Sequence, residues 1–125
     1  MDTMKKIRIL LSSRPKLLSD VIRNLIEHQP DMIVVGEVPD PLQLLRASIQ
    51  TMADVIIITP LRVNGEPKIC HLLLVENPTL IIVTHAPEGE SAYLYQADRE
   101  RQHIEESSGQ SILNAIRKAC GCNLS

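Results

Sequence analysis

Short apolar runs alternate along this chain with segments in which apolar residues recur every third and fourth position. Ile7 to Leu11, interrupted by Arg8, reads as a first strand, and Pro15 opens a helix carrying Leu17, Leu18, Val21, Ile22, Leu25 and Ile26 on one stripe. Gln29-Pro30-Asp31 stops that helix. Met32 to Val38 reads as a second strand. After Pro39-Asp40-Pro41 comes a second helix with Leu42, Leu44, Leu45, Ile49 and Met52 facing the core. Val55 to Ile58 is apolar at every position, which predicts a central strand buried on both faces. A third helix from about Pro67 to Glu76 is expected to bury Ile69, Leu72, Leu73 and Val75, and Leu80 to Val83 is the fourth strand. A last helix from Ser108 or Gly109 to Ala119 presents Ile112, Leu113, Ile116 and Ala119, and Gly121 ends it.

Strands separated by helix-length segments predict an α/β domain with a doubly wound parallel sheet. Such sheets place their site where the carboxyl ends of the strands converge. Three runs end there in small hydroxyl residues: Ser12 and Ser13, Thr59, and Thr84. No carboxylate comes from these positions.

The segment from Pro87 to Ser107 admits two readings. Ser91 to Gln102 is rich in helix formers and long enough for a crossover helix, which leaves Gln102 to Glu106 as a polar edge strand. Alternatively Ala92 to Gln96 and Gln102 to Glu106 pair as a hairpin across Ala97-Asp98-Arg99-Glu100. The crossover that parallel strands need favours the helix.

At 125 residues the chain suits a single domain. Hydrophobic residues make up 44% of it and aromatics only 2%, so Leu, Ile, Val and Ala must build the core and base stacking has little to work with. A net charge of −2 supplies no basic field for a phosphate backbone, so direct nucleic-acid binding by this segment is not expected. The apolar runs are too short for a membrane span or a signal-peptide core, and the chain is read as cytoplasmic. Cys70, Cys120 and Cys122 lack a second ligand pair at metal spacing and are read as reduced thiols. His28, His71, His85 and His103 stand singly, so no metal site and no cofactor is assigned.

The order and spacing of several stretches resemble a known module. Ile9-Leu10-Leu11 followed by Arg14-Pro15, Gln29 to Val38, Asp54 to Ile58, Ile81 to Thr84, and Ala115-Ile116-Arg117-Lys118 together resemble the receiver domain of two-component response regulators. The pattern is nearest to receivers attached to helix-turn-helix transcription factors. The resemblance implies a flavodoxin-like, five-stranded parallel sheet in the order 2-1-3-4-5 with helices on both faces, atypical around its fourth helix and fifth strand. It implies a receiver-like domain over residues 1–120, with residues 121–125 beginning a linker or tail.

Receivers carry an acidic pair after the first strand for a divalent cation and an aspartate after the third strand that accepts a phosphoryl group. The matching positions here are Ser12, Ser13 and Thr59. The family's lysine after the fifth strand falls on Glu105 or on Gln96, depending on how residues 87–107 fold, and Thr84 stands at the family's switch hydroxyl. Neutral hydroxyls are poor ligands for magnesium, and Thr59 has no neighbouring base in sequence to activate it. No catalytic residue is assigned, and the chain is read as a non-enzyme.

Two functional expectations follow. The first is a degenerate receiver that signals through a protein partner, its own output domain or a second copy, with Tyr93 and Tyr95 as the candidate interaction surface, although packing is the usual role of such tyrosines. The second is a sensor in which Ser12, Ser13, Arg14, Thr59 and Thr84, with His85 nearby, bind an anion or nucleotide at the strand ends. Thr59 and Thr84 could equally serve only as local caps to the backbone.

Overall fold

A computed structural model describes residues 6–12, 16–38, 43–58, 68–85, 92–97, 99–104 and 109–120, with the backbone alone at 16–19, 68–69, 85 and 99–101. In chain order the elements are β1 (Ile7–Ser12), α1 (Lys16–Glu27), β2 (Met32–Glu37), α2 (Leu44–Thr51), β3 (Val55–Ile58), α3 (Lys68–Glu76), β4 (Ile81–His85), β5 (Ala92–Gln96), β6 (Arg99–Ile104) and α4 (Gly109–Cys120). The strands form one sheet in the order β2-β1-β3-β4-β5-β6. The first four strands are parallel, with β1 between β2 and β3, so the doubly wound α/β arrangement expected from the apolar runs is present.

Two apolar layers sandwich this sheet. Ile9, Leu11, Ile57, Val83 and Leu94 pack under α1 and α4 with Ile22, Ile26, Ile112, Leu113 and Ile116. On the opposite face Leu10, Ile56, Ile58, Ile82 and Tyr95 pack under α2 and α3 with Leu44, Cys70 and Leu73. Alternating side chains of one strand thus enter opposite layers, and all four residues of β3 are buried.

The expected crossover helix and fifth parallel strand do not form. A hairpin takes their place: β5 runs antiparallel to β4, and β6 antiparallel to β5, so the sheet has six strands and is only partly parallel. The reason lies in Ala92-Tyr93-Leu94-Tyr95. Extended, it buries Ala92 and Leu94 in one layer and Tyr95 in the other, whereas a helix would bury a single stripe. Within β6 only Ile104 of the residues with described side chains is buried, as suits an edge strand.

Two helices are also rotated relative to the expected stripes, and α1 departs from its stripe at one residue. In α2 the buried residues are Leu44 and Ser48, while Ile49 is 62% and Met52 74% exposed. Met52 lies past the last helical turn in the left-handed region (φ 54°), where its N–H donates to the Ile49 carbonyl and that of Ala53 to the Ser48 carbonyl, a Schellman end that faces solvent. In α3 Cys70 and Leu73 are buried, and Leu72 and Val75 face outward; the side chain of Ile69 lies outside the described residues. In α1 Val21 flanks the buried stripe of Ile22 and Ile26.

Two glycines sit at close approaches. A Cβ on Gly36 would sit 3.2 Å from Cδ1 of the buried Leu10, where β2 bulges against β1, and one on Gly109 would displace Leu25 Cδ1 where α4 starts against α1.

Polar contacts fix the outer elements. The Arg117 guanidinium on α4 donates from Nε to Asp31 Oδ2 at 2.7 Å and from Nη2 to Asp31 Oδ1 at 2.9 Å, and Nη2 also donates to Gln29 Oε1 at 2.6 Å. This fork ties the last helix to the turn before β2. The hydrogen bond from Arg117 holds the Asp31 carboxyl below the ordinary carboxylate range, against the opposing effect of partial burial. A lowered folded value means the stabilisation is present above the unfolded pKa of about 3.9 and is lost as pH falls through the folded value. Asp31→Asn is therefore expected to cost about 1–2 kcal/mol at pH 6, with the gap from wild type closing as acid carries the pH through the lowered folded value. Urea unfolding across an acid series measures it, and a gap that stays constant would assign the loss to something other than the ion pair.

Candidate functional site

Register places one row of residues across the carboxyl ends of the central strands. Ser12 of β1 pairs with Ile58 of β3, Ile58 with Thr84 of β4, Thr84 with Tyr93 of β5, and Tyr93 with His103 of β6. Strand alternation sends all five side chains toward the α2/α3 face, the side on which Ile58 and Tyr93 join the apolar layer. Two hydroxyl residues thus flank an isoleucine, followed by a tyrosine and a histidine.

Ser12 and Thr84 are each 4% exposed, the only buried polar residues described besides Ser48. Tyr93 is half-buried, and its ring lies against the exposed His103 with centroids 5.1 Å apart and planes at 47°. Tyr95, expected together with Tyr93 to present a surface, is 5% exposed and is a core residue. Ser13, Arg14, Thr59 and residues 121–125 lie outside the described residues, as does the side chain of His85. Thr59 directly follows Ile58, the second residue of the row.

Strand direction also bears on the lysine. Because β5 is antiparallel, Gln96 comes out beyond Tyr95, which pairs with Ile82, and so lies at the amino ends of the parallel strands, away from Ser12 and Thr84. β6 has the polarity of β4, and Glu105 is the residue that follows it. Neither position holds a lysine. Among the described residues no three His, Cys, Asp or Glu side chains converge as a metal site.

At the other end of the sheet, an open cleft of about 340 Å³ is lined by Lys6, Ile7, Asp54, Thr79, Ile81, Gln96, Ala119 and Cys120. Asp54 is committed there to structure: its Oδ2 accepts the Arg8 N–H at 3.0 Å, while Arg8 Nε donates to the Thr51 carbonyl at 2.9 Å.

The order of the first four strands and the layers of α1 with α4 and α2 with α3 decide the fold. The chain has the fold of a response-regulator receiver domain. A two-component response regulator of the LuxR family from Aurantimonas sp. SI85-9A1 is similar, with TM-score 0.58 and 22% identity over 66% of this chain and 59% of that one. The response regulator domain of Thermotoga maritima CheB is similar at TM-score 0.55 and 24% identity over 66% of this chain and 61% of that one. The chain thus spans less than two thirds of both these structures. No family model and no curated protein matches it. No helix among the described residues of this receiver fold is long and apolar enough to cross a membrane.

Sequence reasoning singled out Ser12 and Thr84 but not the pairing that sets them on either side of Ile58. It also missed the Tyr93–His103 contact, because that contact exists only through the hairpin. The alternation of Ala92 and Leu94 with Tyr93 and Tyr95 was the available signal for it.

Proposed function

We propose that this receiver fold works in signal transduction through protein contacts, without aspartyl phosphorylation and without enzymatic activity of its own. The observation that carries this reading is the hydroxyl row. Ser12 stands at the end of β1 and Thr84 at the end of β4, with Ser13 and Thr59 next in sequence after β1 and β3. The receiver resemblance puts a metal-binding acid pair and a phosphoryl-accepting aspartate at Ser12, Ser13 and Thr59. Phosphoryl transfer depends on metal and cationic groups that neutralise developing charge. Hydroxyls alone do not hold a hard cation against its hydration. Docking would use the β4–β5–β6 end of the sheet in the cytoplasm, and the partner is a signalling protein or an attached output domain, as the LuxR-family neighbour suggests.

The near-complete burial of Ser12 and Thr84 weighs against the small-ligand reading, since little hydroxyl surface is left for an anion to meet.

Acetyl phosphate or beryllofluoride with magnesium should leave both the mass and the amide spectrum of the protein unchanged. A stable phosphoryl adduct, or a saturating magnesium-dependent shift of the Ser12 and Thr84 amides, would overturn the proposal.

A further inference from the structure

We propose that the cleft at the amino ends of the parallel strands binds a free α-amino acid with an apolar side chain. This goes beyond the docking reading above and does not depend on it. At about 340 Å³ the cleft is at the small end of the range for ligand sites. It lies at the end of the sheet opposite Ser12 and Thr84, and every residue that lines it is among those described. α4 ends there at Cys120, and Ala119 with the buried Ile7 and Ile81 gives the cleft an apolar floor.

Polar groups of both charges stand around that floor. Lys6 and Asp54 are exposed, and no ion pair among the described residues joins them to each other or to a third group. Asp54 Oδ2 accepts the Arg8 N–H, which leaves Oδ1 without a described partner. The Thr79 hydroxyl donates to Asn77 Oδ1 at 3.0 Å, so its own lone pairs remain as acceptors. The wall at Ala119 and Cys120 is the carboxyl end of α4, the negative pole of that helix. These three features suit an ammonium group. Lys6 and the half-buried amide of Gln96, neither with a polar partner among the described residues, suit a carboxylate. A ligand with one sign of charge satisfies one side of the cleft and leaves the other facing it unpaired. A zwitterion meets both, and its side chain covers Ile7, Ile81 and Ala119.

Titration of the full chain with L-leucine, followed by amide chemical shifts, should saturate with a dissociation constant of about 1 mM or tighter. The shifts should centre on Lys6, Ile7, Asp54, Ile81, Gln96 and Cys120. Isoamylamine, which lacks the carboxylate, isocaproate, which lacks the ammonium, and glycine, which leaves the floor bare, should each bind about tenfold or more weakly than leucine. K6Q and D54N should weaken leucine binding by about the same factor, and K6R should retain it. These variants keep the fold, since Lys6 is exposed and an asparagine carbonyl still accepts the Arg8 N–H. No saturable shift from L-leucine, or shifts centred on the Ser12 and Thr84 amides, would overturn the inference. So would single-charge analogues that bind as well as leucine, or folded K6Q and D54N variants that bind it like wild type. None of these outcomes touches the docking reading, which stands or falls on the response to acetyl phosphate and magnesium.

Discussion

Ile57→Ala is expected to lower the unfolding free energy by about 3–5 kcal/mol, which for a domain of ordinary stability removes a large part of the total. Ile57 is 1% exposed on β3, flanked by β1 and β4, with α1 and α4 above it. It also borders a small apolar cavity of about 20 Å³ lined by Ile22, Leu25, Ile26, Gly109, Ile112 and Leu113. Truncation would enlarge a void with apolar lining, and the side chains around it belong to two helices and a central strand that cannot all move inward. The cost therefore belongs in the upper part of the usual range for losing a buried isoleucine. Ile49→Ala on α2 is the control. At 62% exposure it should change stability by less than about 0.5 kcal/mol. Urea unfolding of both variants tests the layer assignment, and comparable losses would mean that α2 buries a different face.

The same contrast explains what the sequence could and could not reveal. The runs in β1, β3 and β4 are apolar because those strands are covered on both faces, so their existence and order could be read directly, as could the stripes of α1 and α4. The phase of α3 could not: Leu72-Leu73-Leu74-Val75 is apolar at every position and has no period, so only packing selects Cys70 and Leu73 as the buried pair. In α2 the end of the stripe was misplaced because Met52 occupies a left-handed position where glycine is the usual marker.

The hairpin was legible only as the second reading, with its outer strand set at 102–106 instead of Arg99–Ile104, for a different reason. An edge strand needs few apolar residues, and Arg99 to His103 supplies none, while Ala, Leu, Gln, Arg and Glu through residues 92–102 favour a helix locally. Burial of Ala92, Leu94 and Tyr95 on two faces outweighs that propensity. The candidate site shows the same division. That Ser12 and Thr84 end strands is visible in the chain, but their common row with Ile58, Tyr93 and His103 arises from pairing between strands far apart in sequence.

Restoring acids to the strand ends should be costly in a way that depends on both pH and metal. Ser12 is 4% exposed beside Ile58, so an aspartate there places a carboxylate in a largely desolvated position. Desolvation disfavours the charged form and raises the folded pKa above the unfolded value of about 3.9. The sign is then opposite to that of Asp31. The variant keeps its stability below about pH 4 and loses it as pH rises through the raised folded value. Ser12→Asp should accordingly cost about 1 kcal/mol or less at pH 4 and about 2–4 kcal/mol at pH 7. If the crevice retains receiver geometry, the triple variant S12D/S13D/T59D gathers carboxylate oxygens suited to a hard cation, and magnesium binding to the folded state alone must raise its melting temperature. Wild type, with hydroxyls at those places, should show no such rise. Equal stabilisation of both proteins by magnesium would mean that the native crevice already holds the ion. A triple variant indifferent to metal would mean that these three positions do not converge, and the assignment of Thr59 to the phosphoryl-accepting place would fall with it.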